Sequence, residues 1–374
     1  MKVLLVTPSF SPIVGGSESA VQILSTKHNE IGVHADVMTY NMHRKWYPLL
    51  REQTENNGFF NIFRVSAINP ARIFRINPFE LLKVYVIPKP GFTKKFRDYD
   101  VIHFQGEADL SFIIFSCFTR KTKLFTSHAN CAKPPRLKWL FMLNFPHLAD
   151  LFIAHNSEIL SELGVPKSKS MVFDSFGVDV NTFRPNEKKK SDNLVLFVGR
   201  ILESKGLHVL LEALPYVTSP IHVVIIGPNV DAKYLEKCLE KVNLLNKKGF
   251  HKVTYLGPLD ELSLVPWYQK AAILVRPDLE GFSGGLTSLE SLACATPVIG
   301  TGNHIVKDGV NGILVPPNNS EELGRALNKL MNNKELRRKY GAVGRSIIEK
   351  QFSWEKIVRK LRKVYEFISA NQKC

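Results

Sequence analysis

At 374 residues, 44% hydrophobic and 22% charged, the chain has the size and composition of a globular protein of two ordinary domains. No stretch approaches the roughly 18–20 consecutive apolar residues of a membrane-spanning helix, and five cysteines without a Cys-x-x-Cys pair argue against a disulfide framework or a zinc site. A formal net charge of +16 points to a polyanionic partner: nucleic acid, anionic lipid or a phosphorylated substrate.

The chain opens Met1-Lys-Val-Leu-Leu-Val-Thr-Pro8. Its apolar run of about five residues is too short for a signal-peptide core, so the expected location is the cytoplasm. Residues 3–6 read as a strand, followed by a Gly15-Gly16 loop, a helical pattern over 17–30 and a second strand at 33–39. Strand, glycine turn, helix, strand predicts a parallel α/β sheet. The rhythm resumes with strands at 101–104, 123–126 and 151–154. The stretch 184–193, Arg-Pro-Asn-Glu-Lys-Lys-Lys-Ser-Asp-Asn, is polar with one proline and reads as a linker. Beyond it come strands at 194–198, 222–226, 253–256, 272–276 and 296–300, with a helix over 208–214. The predicted fold is therefore α/β, with two Rossmann-like doubly wound domains. Ligands of such sheets lie outside the carboxyl ends of the strands, and with two domains the expected site is the cleft between them.

Three glycine-containing loops follow predicted strands. Gly15 and Gly16 follow the first, where backbone amides at a helix start suit phosphate; a tight strand-to-helix turn is the competing reading. Arg200 and Lys205 flank the loop after the first strand of the second half. Two cations there suit a diphosphate, Arg200 as a bidentate fork and Lys205 as a point charge; a solvated basic loop is the alternative. The richest segment is Pro277-Asp-Leu-Glu-Gly-Phe-Ser-Gly-Gly-Leu-Thr-Ser-Leu-Glu290, running on to Ile299. It predicts a glycine turn and a helix starting near Gly285, whose first amides favour phosphate. Glu280 before the turn and Glu290 inside the helix are both able to accept hydrogen bonds from sugar hydroxyls.

This segment resembles the donor-binding region of the family 4 retaining glycosyltransferases of glycosyl transferase group 1, which have the GT-B architecture. Asp100-Val-Ile-His103, Gly177-Val-Asp179, Phe183-Arg-Pro185, Val198-Gly-Arg200, Asp308-Gly-Val-Asn-Gly312 and Phe352-Ser-Trp354 extend the resemblance along nearly the whole chain. It implies an acceptor-binding domain over 1–184, a linker at 185–193, a donor-binding domain over 194–350 and a helix over 351–374 that packs back on the first domain. It implies transfer of a sugar from a nucleotide-diphosphate sugar, such as a UDP- or GDP-sugar, with retention of configuration. The nucleotide sugar is then a substrate, and neither a cofactor nor a metal is expected. Gly15 and Gly16 would approach the donor diphosphate or the acceptor. Arg200 and Lys205 would hold the diphosphate as it leaves, and Gly257 would line the base pocket. Glu280 would bind the donor sugar, Gly284, Gly285, Leu286 and Thr287 the phosphates, and Glu290 the ribose. His128, in Thr126-Ser-His128, would contact the sugar near the reacting carbon. Where the family has seven residues between its two glutamates, nine separate Glu280 from Glu290 here, so the turn between them is expanded. A nucleotide-sugar epimerase of the same architecture and a non-catalytic nucleotide-sugar-binding protein are the alternative readings.

Asp98-Tyr-Asp100 has the letters of a metal-binding Asp-x-Asp, but it precedes a strand instead of following one. The charge surplus is uneven. Residues 40–140 hold 17 Lys and Arg against 7 Asp and Glu, and residues 331–374 hold 12 against 4. The run Pro135-Arg-Leu-Lys-Trp-Leu-Phe-Met-Leu143 mixes cations with large apolar groups, as an interfacial helix does on anionic lipid. Two readings stand: a peripheral enzyme on the cytoplasmic face of a membrane with a lipid-linked acceptor, or core aromatics beneath a solvated basic face. No nucleic-acid recognition module is visible.

Overall fold

The structure, a computed structural model, describes residues 1–12, 16–41, 51, 53–68, 87–88, 91–106, 116, 119–127, 147–174, 176, 177–186, 188, 190–279, 285–302 and 305–371. It divides into two compact units, Met1–Phe176 with Trp354–Cys374, and Gly177–Ser353.

The first unit holds β1 (Lys2–Val6), α1 (Gly16–Glu30), β2 (His34–Tyr40), β3 (Gln53–Asn56), β4 (Asn61–Val65), β5 (Ala67–Ile68), β6 (Ile87–Pro88), β7 (Val101–Gly106), β8 (Thr122–Ser127), β9 (Leu151–Ala154), α2 (Ser157–Glu162) and β10 (Ser170–Val172). Its main sheet has the order β10-β9-β8-β7-β1-β2-β4-β3. Every pairing is parallel except β3 with β4. Strand β9 and all of β1 after Lys2 are apolar along their length because both faces of the sheet are covered. Leu4, Met38, Ile102 and Phe125 pack on one face, and Val3, Leu5, Val37, Val101 and Leu124 on the other. The C-terminal helix, Trp354–Asn371, covers that second face beside α1. Its buried Ile357, Leu361, Val364, Tyr365 and Ile368 fall at i, i+4, i+7, i+8 and i+11, the spacing of one helix face. The Tyr365 hydroxyl pairs with His103 Nδ1 at 2.7 Å and ties this helix to β7.

The antiparallel edge β3–β4 is absent from the sequence reading. Gln-Thr-Glu-Asn carries no apolar residue, and Arg64 interrupts the apolar run of β4. The structure buries Arg64 and pairs its guanidinium with Glu55 across the two strands, so a charge that reads as loop in the sequence is a cross-strand pair in the fold. Asp98-Tyr-Asp100 also serves the fold: Tyr99 donates to Asp36 Oδ2 at 2.6 Å, and Asp100 accepts the Lys2 amide at 2.8 Å.

The second unit holds β11 (Leu194–Val198), α3 (Leu207–Ala213), β12 (His222–Ile226), α4 (Ala232–Lys248), β13 (Lys252–Tyr255), α5 (Glu261–Lys270), β14 (Ile273–Arg276), α6 (Leu286–Ala293), β15 (Val298–Gly300), β16 (Gly312–Leu314), α7 (Ser320–Met331) and α8 (Lys334–Ile347). The sheet is wholly parallel, in the order β13-β12-β11-β14-β15-β16. Val195, Phe197, Val223, Ile225 and Ile273 pack on one face, and Leu196, Val198, Val224, Ile226 and Leu274 on the other.

The boundary between the units differs from the sequence reading. It falls at Gly177, and residues 185–193 are not a free linker. Phe183 is buried against Tyr268, the Ser191 amide donates to the Lys270 carbonyl at 2.9 Å, and Lys190 Nζ reaches the Ala271 carbonyl at 3.2 Å. Asp192 pairs with Lys334 and Arg337. The stretch has no apolar side chain to signal burial; its backbone and charges dock on the end of α5 and on α8 instead. The C-terminal boundary moves likewise, from 351 to Trp354, because Val178 pairs with Ser353 and the Val178 amide donates to the Phe352 carbonyl.

Candidate active site

In the second sheet the chain moves outward on one side from β11 to β12 and β13, and on the other to β14, β15 and β16. The direction reverses between β11 and β14. At such a switch point the loops leaving the carboxyl ends of the two central strands separate and leave room for a ligand. These loops are the ones that carry Arg200 and Lys205, after β11, and Pro277, Asp278 and Leu279, after β14.

Two glycines allow the loops their close approach. Gly206, which begins α3, has φ +68°, and a Cβ there would lie 2.0 Å from the Pro277 carbonyl oxygen. Gly227, at the end of β12, has φ +152°, and its Cβ would lie 1.8 Å from the Gly199 oxygen. Neither position admits a side chain without backbone movement. A further bond joins the loops, from the Leu279 amide to the Ser204 carbonyl at 2.9 Å.

Between these loops sits a cluster of charge. Lys205 Nζ donates to Asp278 Oδ1 at 2.9 Å, and Arg276 Nη2 meets Asp278 Oδ2 at 3.0 Å. The Arg276 and Asp278 side chains are each only 8% exposed, whereas Lys205 keeps 20%. Arg276 Nη1 also donates to Ser288 Oγ at 3.0 Å, which ties the cluster to the first turn of α6. Burial pushes the Lys205 ammonium pKa down; Asp278 opposes that, while the charges of Arg276 and Arg200 add to it. Arg200 itself is exposed.

Helix α6 starts at Leu286, and its cap residue, Gly285, has no side chain to accept a hydrogen bond from its first amides. Leu286 and Thr287 are partly exposed there, so the partial positive charge of the helix start is directed at whatever lies before it. One turn further, Glu290 Oε2 accepts the Tyr268 hydroxyl at 2.6 Å. Burial pushes Glu290 up to about 7 and Glu261 adds to this, while the Tyr268 bond and the Arg276 charge oppose it. Arg276 therefore acts on both Lys205 and Glu290, and the two lie in one electrostatic neighbourhood.

Gly257 follows β13, and its carbonyl accepts the Gly227 amide at 2.9 Å. The Tyr255 hydroxyl donates to the Gly227 carbonyl at 3.0 Å. The loop after β13 thus joins the loop after β12, beside that after β11. Val230, Leu256 and Leu262 on or near these loops are exposed, at 56%, 40% and 71%.

Of the residues singled out in the sequence, the second unit gathers Arg200, Lys205, Gly257, Gly285, Leu286, Thr287 and Glu290 at the carboxyl ends of β11, β13 and β14 and on the helix that follows β14. Gly16 begins α1 at the carboxyl end of β1, described as backbone alone. Gly15, His128, Glu280 and Gly284 lie outside the described residues. Sequence reasoning missed Arg276, Asp278 and Tyr268. Arg276 and Asp278 had a signal, since an arginine ending an otherwise apolar strand and an aspartate two residues on need partners when buried. Tyr268 had none, because an aromatic residue in a helix reads as core.

The family model described as glycosyl transferases group 1 matches residues 179–347. An uncharacterised glycosyltransferase of Methanocaldococcus jannaschii is 35% identical over 187 residues, 47% of this chain and 49% of that protein. The O-antigen chain mannosyltransferase C of Escherichia coli is 25% identical over 381 residues, 96% of each chain. That mannosyltransferase apart, the chain spans about half the length of the first curated relatives it matches. Among solved structures, HepE of Anabaena in complex with UDP and glucose has a TM-score of 0.74 at 16% identity and covers 98% of this chain and 99% of that one, a likeness of fold. The family match falls on the unit whose loops converge on Lys205 and Asp278, so the likeness to the glycosyl transferases group 1 lies in that unit.

Proposed function

We propose that the chain transfers a sugar from a nucleotide-diphosphate sugar to an acceptor, with retention of configuration and with protein cations in place of a metal. The observation that carries this is the meeting of Lys205, Arg276 and the glycine-led start of α6 at the switch point of the second sheet. UDP in the HepE structure and mannosyl transfer in the name of the E. coli relative support a donor of this class.

In this reading Arg200 and Lys205 meet the diphosphate, whose charge grows as the bond to the sugar breaks. Fixed cations aimed at developing charge lower the barrier more than they tighten the ground state. The amides of Leu286 and Thr287 add the field of the helix start. Glu290 accepts the ribose hydroxyls, with Tyr268 holding its carboxylate. Gly257 and its exposed apolar neighbours face the base. Glu280 at the sugar hydroxyls and His128 near the reacting carbon rest on the sequence resemblance alone. The departing phosphate takes the acceptor proton on the same face of the sugar, so the protein supplies position and charge and forms no covalent bond to the sugar.

The finer reading of the acceptor is a lipid-linked molecule at an anionic membrane surface. The C-terminal helix exposes Lys356, Arg359, Lys360, Arg362 and Lys363 together with Phe367, which is 58% exposed. No helix among the described residues is long and apolar enough to cross a membrane, so such contact would be peripheral.

Hydrolysis of nucleotide sugars by the wild type and by Lys205→Ala, Glu290→Ala and His128→Ala tests the proposal. Turnover by the wild type that is lost in the variants supports it. A wild type that neither binds nor turns over any nucleotide sugar overturns it.

A further inference from the structure

The Asp278 carboxylate occupies a place that a diphosphate-binding site has reason to keep free of anions. It is 8% exposed and bridges Lys205 and Arg276 at 2.9 and 3.0 Å. The bridge is held from several sides. Arg276 continues to Ser288 on α6, the Thr301 hydroxyl donates to the Asp278 carbonyl, and Gly206 admits Pro277 against the backbone next to Lys205. An anion held this firmly beside the Lys205 ammonium removes one unit of positive charge from the loops that face the ligand.

Resting on the nucleotide-sugar reading above, we propose that Asp278 is a positioning residue that sets the charge of this site to suit the donor and to let the product leave. Among the described residues, Lys205, Arg200, Arg276 and Asp278 sum to a formal charge of +2, with Glu290, which titrates at about 7, in the same neighbourhood. A nucleotide-diphosphate sugar carries about −2, one charge on each esterified phosphate. The released nucleoside diphosphate carries close to −3, since its terminal phosphate ionises a second time near pH 6. Every added positive charge tightens the product more than the donor, because the attraction scales with the ligand's charge. A site of +3 would hold its product and turn over slowly. With Asp278 in place, the cations stay oriented by short bonds, and the surplus remains low enough for release.

Calorimetric titration of UDP and of GDP into the full chain tests this, with Asp278→Asn, Arg276→Gln and the double variant Arg276→Gln/Asp278→Asn. These variants raise, lower and restore the site's charge while keeping hydrogen-bonding side chains. The better-bound nucleotide is expected to bind Asp278→Asn at least about ten-fold more tightly than wild type, the double variant like wild type, and Arg276→Gln about ten-fold more weakly. In Asp278→Asn the donor KM falls and kcat falls with it, and the first turnover stays fast ahead of a slowed steady state. A role in local stability alone predicts the reverse for Asp278→Asn, weaker binding that Arg276→Gln does not restore. Equal or weaker nucleotide affinity in folded Asp278→Asn overturns the proposal. If Asp278→Asn does not fold, the comparison of Arg276→Gln with the double variant decides, and equal affinities there overturn it. A wild type that binds neither nucleotide fails the nucleotide-sugar reading itself, and this inference with it.

Discussion

Glu290 is a carboxylate held where an ionised carboxylate is costly. Burial and the nearby Glu261 raise its pKa to about 7 from 4.5, and the Tyr268 hydroxyl offsets only part of the rise. The folded protein thus binds this proton more tightly than the unfolded chain does. The group's contribution to stability is greatest below pH 4.5 and falls as the pH rises through about 7. Against Glu290→Gln, the wild type is expected to lose on the order of 1–3 kcal/mol across that window, as read from thermal unfolding at a series of pH values. A ligand that needs the ionised form reverses the preference. Donor affinity of the wild type should rise with pH up to about 7, and that of Glu290→Gln should stay flat and low. Lys205→Ala removes a group that is both partly exposed and hydrogen-bonded to Asp278. A loss of about 10²- to 10³-fold in kcat is expected, the size seen when a single stabiliser of developing charge is removed, with little change in melting temperature because Arg276 still pairs with Asp278. At this scale the sequence was partly legible. Arg200, Lys205 and Glu290 stood out by residue type and position in glycine-flanked loops. Asp278 was missed although its spacing from Arg276 was a signal, since an acidic residue beside cations reads as a solvated loop until burial shows that the charges are paired.

The elements that build the site are two strand-to-helix loops pressed together through glycine. Substitution Gly206→Ala should cost at least about 2 kcal/mol, because it combines a left-handed backbone with a Cβ 2.0 Å from the Pro277 carbonyl oxygen. Gly249→Ala is the matched control: its φ is +74°, but open space surrounds the added Cβ, so only the backbone term of about 1 kcal/mol applies. The gap between the two in urea unfolding measures the loop contact. A nucleotide affinity that drops in Gly206→Ala alone shows that the contact positions the site. The sequence made these elements legible where strands are buried on both faces, since 194–198 and 223–226 are continuous apolar runs and the strands appear at Leu194–Val198 and His222–Ile226. It failed where polarity is satisfied internally. The edge β3–β4 hides an Arg64–Glu55 pair, and the stretch 185–193 binds by its backbone and charges, so neither carries the apolar signal that sequence patterns detect.

For the whole molecule, the chain returns to its first unit at the end. Trp354, Ile357, Leu361 and Tyr365 complete the core face formed by Val3, Leu5 and Val37, and this return was legible from the family resemblance, not from the residues of the helix themselves. Truncation after Ser353 should open the first unit to proteolysis while residues 177–353 survive as a resistant fragment, because that unit keeps its own two-faced core. Digestion of both units at the same rate would contradict this. The exposed cations of the C-terminal helix belong to the same scale. Co-sedimentation with anionic vesicles at low salt, weakened by charge reversal at Arg359 and Lys363, is expected of a peripheral enzyme, and an absence of binding would assign the charge to a solvated face. The central claim is that the loops of the second unit hold a nucleotide-sugar donor through Lys205 and Glu290. The measurement that tests it most directly is calorimetric titration of a panel of UDP- and GDP-sugars into the wild type, Lys205→Ala and Glu290→Ala. Binding of one of them to the wild type, weakened at least about ten-fold in each variant while both remain folded, is the predicted result. Binding that is unchanged in both variants would contradict the account.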